Sequence, residues 1–145
     1  MCIRDRSGTW QLAYDDDRAG LDEHWQRLDD LTDRAVFGRD VVVPHPPESP
    51  ASGVGDTGPH AVVWYRRGLR LADVAGSGAV GDGTGSRVVL RFGAVDHRAS
   101  VWLDGALLGG HEGGQTPWHV DLTDALAGSD PDAEHVLVVL SLIHI

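Results

Sequence analysis

Apolar and polar residues alternate with a period of two along much of the chain, and no long stretch carries the spacing of an amphipathic helix. Trp10, Leu12 and Tyr14 alternate with Gln11 and Ala13, which predicts a first short strand. Residues 18–31 are acidic and irregularly apolar, with room for a helical turn around Trp25 and Leu28. Residues 41–43, all Val, read as a strand that stops at Pro44, and Pro46, Pro47 and Pro50 then preclude regular structure. From His60 to Leu71, Val63, Tyr65, Leu69 and Leu71 share one parity, while Val62, Trp64, Arg66 and Arg70 share the other. This predicts a long strand with one partly polar face. Arg66 and Arg67 differ in parity, so one of them points inward and needs a carboxylate or carbonyl partner.

Residues 75–86 form a glycine-rich connector. Beyond it Val88, Leu90 and Phe92 alternate with Val89 and Arg91, and residues 99–103 run into Asp104-Gly105, a dipeptide that favours the positive φ angles of a tight hairpin turn. Residues 106–108 are the returning strand. Trp118, Val120 and Leu122 predict another strand, residues 123–126 a short turn or helical cap, and residues 135–139 a last strand. Six to eight short strands between turn signals predict an all-β, antiparallel β-sandwich rather than an α/β fold.

The length of 145 residues is that of about one domain. A net charge of −10 disfavours nucleic acid and anionic membranes as partners. No apolar run approaches the roughly 20 residues needed to span a bilayer. Residues 1–6 and 140–145 can be encoded by complementary strands of one DNA sequence, which resembles the mosaic end of a transposase used to fragment DNA for sequencing. Met1, Cys2, Ile3, Ile143 and Ile145 are also the only Met, Cys and Ile in the chain, which has no Lys and no Asn. The expected domain is therefore 7–139, flanked by non-native ends at 1–6 and 140–145, the second an apolar tail without a designed partner. With Cys2 assigned to a foreign end, the remainder has no thiol for a disulfide or a metal site. Localisation stays open.

Residues 76–81 match the G-x-G-x-x-G pattern, but Asp82-Gly83-Thr84-Gly85-Ser86 cannot open the helix that a dinucleotide site requires, so the stretch reads as a flexible loop. No Lys is present to complete a phosphate-binding P-loop. There is no G-x-S-x-G elbow, and His24, His45, His60, His97, His111, His119 and His135 lack zinc-site spacing. They read as surface or hydrogen-bonded histidines, and neither a metal nor a cofactor is expected. Asp15-Asp16-Asp17 reads as a solvated charge run. Trp10, Trp64 and Trp102 lie inside alternating strands as core residues, and Trp118 shares the parity of Val120 and Leu122. The polar residues between Gly109-Gly110 and Gly113-Gly114 and just beyond stand out: His111, Glu112 and Gln115 in a glycine-framed loop offer donors and acceptors suited to sugar hydroxyls.

Five motifs in a fixed order cover nearly all of 7–139. They are residues 10–13 with Gly20-Leu21 and Trp25; 42–44 with 48–50 and 52–55; Trp64-Tyr65-Arg66-Arg67; 90–96 with 101–105; and 111–118 through 121–123. Together they resemble the N-terminal sugar-binding-like domain of glycoside hydrolase family 2, the β-galactosidase and β-glucuronidase group. Asp104 stands where that family usually has Asn, and Trp118 where it usually has Phe. The resemblance implies a jelly-roll-like, galactose-binding-like sandwich and a carbohydrate substrate. It also implies that the catalytic glutamates lie on a later TIM barrel, with an immunoglobulin-like domain downstream in the same parent chain. Glu23, Glu48, Glu112 and Glu134 are the only glutamates here, and no catalytic residue is assigned among them. The implied role is to pack on the barrel and shape its substrate pocket. A free-standing carbohydrate-binding module and a structural sandwich of a surface protein are the alternative readings.

Overall fold

A computed structural model describes residues 7–75, 87–93, 95, 97–113, 116–130 and 132–142. The glycine-rich connector with its G-x-G-x-x-G match lies outside the described residues from residue 76 onward. Among them are eight strands: β1 Gly8–Tyr14, β2 Arg39–Val43, β3 Val62–Arg70, β4 Val89–Phe92, β5 Arg98–Leu103, β6 Ala106–Glu112, β7 Trp118–Asp121 and β8 Glu134–Leu142. Two single-turn helices, α1 Leu71–Ala75 and α2 Thr123–Leu126, follow β3 and β7. The predicted turn around Trp25 is a 3-10 turn over Trp25–Arg27. The large sheet has the order β2-β1-β3-β8-β5-β6 and the small one pairs β4 with β7. Every pairing is antiparallel, so the fold is the expected all-β sandwich.

Trp10, Leu12, Val63, Val101, Trp118 and Val120 belong to the core between the two sheets. A second core lies on the outer face of the large sheet, where Trp64, Trp102, Val138 and Phe37 pack with Trp25 and Leu28. The segment between β1 and β2 covers this face. The face of β3 expected to be partly polar is thus interior, with Trp64 at 0% and Arg66 at 1% exposure. Arg66 is the inward arginine, and its polarity is satisfied in place: Nε donates to Gln11 Oε1 (2.7 Å), Nη1 to the Leu28 carbonyl (2.9 Å) and Nη2 to the Asp33 carbonyl (2.8 Å). The guanidinium lies 4.4 Å over the Phe37 ring.

The acidic run also divides in a way that the sequence reading did not anticipate. Asp17 is exposed, but Asp15 is buried. Its carboxylate accepts from the Ala19 and Gly20 N–H groups and from Trp64 Nε1 (2.8, 3.0 and 3.0 Å). Trp25 N–H in turn donates to the Gly20 carbonyl at 2.9 Å. Gly20 is sterically required, since a Cβ there sits 2.7 to 2.8 Å from Asp15, Trp25 and Trp64 side-chain atoms. The spacing from Gly20 to Trp25 is the sequence trace of this junction. Gly20→Ala is expected to cost roughly 1 to 3 kcal/mol by overpacking, measured as a lowered urea midpoint; an unchanged midpoint would show that the junction yields freely.

The predicted hairpin joins β5 and β6, with Asp104 at φ 51° and Gly105 at φ 82°. Asp104 Oδ1 accepts the Val136 N–H at 2.8 Å, and Oδ2 lies 2.6 Å from His135 Nδ1, which ties the turn to β8. β8 is longer than expected. Leu140–Leu142 continue it between β3 and β5, and Leu140 and Ser141 are buried. The expectation of an unpartnered apolar tail is therefore corrected for these three residues. Leu140, Ser141 and Leu142 continue the ladder of β8 between its two neighbouring strands and keep its alternation going.

Candidate functional site

The glycine-framed segment is not a loop throughout: β6 runs through Gly109, Gly110 and His111 to Glu112. Gly110 is needed because a Cβ there lies 2.6 Å from the Ala99 carbonyl oxygen. Gly113, at φ 121°, releases the chain from the strand. The register pairs His111 with Ala99 and Glu112 with Arg98. Consecutive strand residues point to opposite faces, so the two candidate side chains diverge. The His111 ring turns inward and stacks on Trp118 (5.3 Å between centroids, 13° between planes), which stacks on Phe92 (4.4 Å, 15°). Glu112 turns outward, is exposed, and faces Arg98 Nη2 at 3.5 Å. Gln115 lies outside the described residues.

Two polar atoms in this stack, His111 Nε2 and Trp118 Nε1, are buried without a hydrogen-bond partner among the described residues. Trp118 is 8% exposed and belongs to the core between the sheets, as its parity predicts. A shallow recess of about 310 Å³ runs along the β5–β6 edge past Arg98, Ser100, Gly110 and Glu112. A larger cleft of about 520 Å³ opens between the sheets, where Trp10, Tyr65 and Phe92 meet the Pro44–Glu48 segment. Sequence reasoning missed this cleft, because its walls come from five separated stretches of chain and only the run of prolines marks one of them. Among the described residues no group of three or more His, Cys, Asp or Glu is placed to hold a metal ion. No helix among them is long and apolar enough to cross a membrane.

No protein-family profile matches the chain. A β-glucuronidase of Paenibacillus borealis is 30% identical over 129 residues, covering 83% of this chain and 18% of that protein. A β-galactosidase of Bifidobacterium adolescentis is 38% identical over 84 residues, 54% of this chain and 8% of that protein. The solved β-glucuronidase of Lactobacillus rhamnosus superposes with a TM-score of 0.71 at 23% identity, over 98% of this chain and 22% of that one. Fold and relatives together define the class: an all-β, antiparallel β-sandwich similar to a part of known glycosidases. More particularly, the curated relatives it matches are β-glucuronidases and a β-galactosidase, and the chain spans about a fifth of their length or less.

Proposed function

We propose that the chain is the non-catalytic N-terminal domain of a β-glucuronide-cleaving glycoside hydrolase, with its domain proper at residues 7–139. In this reading it packs against a TIM barrel that follows an immunoglobulin-like domain in the parent chain, and it forms one wall of the barrel's carbohydrate pocket. The observation that carries the reading is the alignment of nearly the whole chain with less than a fifth of a β-glucuronidase. The placement of the glutamates supports it. Glu23 accepts from Trp25 Nε1, Glu48 lines the cleft, Glu112 faces Arg98, and Glu134 lies over Gly68. Four carboxylates in four different settings do not make the closely spaced pair that retaining hydrolysis needs.

The residues proposed to contact sugar are His111, Glu112 and Gln115; Glu112 is exposed on β6, His111 is stacked on Trp118, and Gln115 lies outside the described residues. The test is to assay the chain, and the same gene extended beyond Val139, on aryl β-glucuronide and β-galactoside. The isolated chain is expected to be inactive and the extended product to cleave the glucuronide. Glu112→Ala in that product is expected to lower kcat/KM by roughly two- to a hundred-fold, the range of one lost hydrogen bond. Turnover by the isolated chain would overturn the non-catalytic reading, and unchanged kinetics in Glu112→Ala would remove β6 from the pocket wall.

A further inference from the structure

A cluster remote from β6 is used by nothing above. His60, just ahead of β3, lies between two carboxylates: Nδ1 is 3.0 Å from Asp16 Oδ1 and Nε2 is 3.1 Å from Asp56 Oδ2. Its ring stacks on Tyr14 at 3.6 Å and 13°, and the Arg39 guanidinium lies 5.5 Å from the Tyr14 ring centroid. A neutral imidazole carries one N–H and one lone pair, so it can donate to only one of the two carboxylates and sets its lone pair against the other. The imidazolium donates to both.

The segment tied down here is braced within itself. Asp56 N–H donates to the Pro47 carbonyl (3.2 Å), Ser52 Oγ to the Ser49 carbonyl (2.7 Å) and Gly58 N–H to Asp56 Oδ1 (2.9 Å). It therefore moves as a unit, and its Pro44–Glu48 portion is a wall of the 520 Å³ cleft. Asp16 belongs to the turn after β1, outside that unit. We propose that Asp16, His60 and Asp56 form a protonation-dependent latch that holds the segment from Pro44 to His60, and with it one wall of the cleft, against the end of β1.

The two carboxylates that flank His60 act on it in one direction. Burial alone pushes the His60 pKa down, but Asp16 and Asp56 outweigh it and the net direction is upward from 6.5. Asp56 is held low by the Gly58 N–H and by His60. Arg39 and Glu48 act on the neighbouring Tyr14, whose hydroxyl is pushed up chiefly by burial. A raised folded-state value means that the latch contributes fully below the unfolded histidine pKa and fades as pH rises through the folded one.

The test is hydrogen exchange of the chain at about pH 5.5 and about pH 8.5, on either side of the ordinary histidine range and corrected for intrinsic rates. Amides of residues 45–60 are expected to exchange about two- to fivefold faster at the higher pH, the size of a pair of partly exposed ion pairs, while the amides of residues 138–140 in β8, away from the His135–Asp104 pair, serve as the reference. His60→Gln and Asp16→Asn should remove most of that difference. A wild-type segment indifferent to pH, or variants that keep its full dependence, would overturn the latch. Imidazole titration by NMR provides a check that does not depend on how well the variants fold. His60 of the wild-type chain should titrate above 6.5, and a value at or below it would also overturn the proposal.

Discussion

Arg66→Met is expected to destabilise the fold by roughly 3 to 5 kcal/mol, the range seen when one partner of a buried charged network is removed. Met keeps the apolar stem but lacks the guanidinium, so the variant removes the hydrogen bonds together with the contact over the Phe37 ring. Three acceptors lose their donor at once: Gln11 Oε1 and the carbonyls of Leu28 and Asp33. A buried acceptor left unpaired costs about 1 to 3 kcal/mol. The sum is reduced because removing the guanidinium also relieves its desolvation, which pushes its pKa down. The loss falls on the segment between β1 and β2, since those carbonyls and Gln11, whose Nε2 donates to the Leu31 carbonyl at 2.8 Å, hold it over Trp64 and Trp102. Urea unfolding followed by tryptophan fluorescence should show a lower midpoint at an unchanged slope. A loss below about 1 kcal/mol would mean that water satisfies the carbonyls and that the second core is not sealed. Arg66→Lys should fall between the two, because one ammonium cannot reproduce the planar fork.

The features legible in the sequence are those set by local pattern. Alternation places β1, β3, β5 and β7, and Asp104-Gly105 marks its hairpin, because strand period and turn chemistry act over a few residues. The second core was harder to read. Trp25, Leu28 and Phe37 show no period, since an irregular segment packs wherever the backbone leads it, and the polar parity of β3 concealed Arg66 as an interior residue. Asp15 is indistinguishable from Asp16 and Asp17 as a sequence of letters; only the fold brings Trp64 Nε1 within 3.0 Å of it. The same limit applies to the latch, since Asp16 and His60 are 44 residues apart. The candidate site was half legible. The glycines mark a place where backbones approach closely, at Gly110 against Ala99, but the extension of β6 from residue 108 to Glu112 puts His111 and Glu112 on opposite faces.

Trp118→Ala is expected to cost about 3 to 5 kcal/mol, the range for emptying a large aromatic site in a core, which is a large share of the roughly 5 to 15 kcal/mol that holds a domain together. The indole lies between Phe92 and His111 in a continuous stack and shares its core with Val120 and Leu122, so truncation leaves both rings without a face to pack on. Trp118→Phe separates shape from polarity at the same position. It keeps a ring in the stack and removes the indole N–H, which is buried with no acceptor among the described residues and so carries a penalty of about 1 to 3 kcal/mol in the wild-type chain. That gain offsets much of the loss from the smaller ring, and the Phe variant is expected to unfold within about 1.5 kcal/mol of wild type, because the relieved penalty of about 1 to 3 kcal/mol opposes the cost of the space left behind. The resemblance to family 2 hydrolases, which usually carry Phe at this position, points the same way. Urea midpoints for the two variants decide the matter. A Phe variant as unstable as the Ala variant would show that the indole N–H has a partner in solution, and a stable Ala variant would remove Trp118 from the core and free its face for a sugar ring.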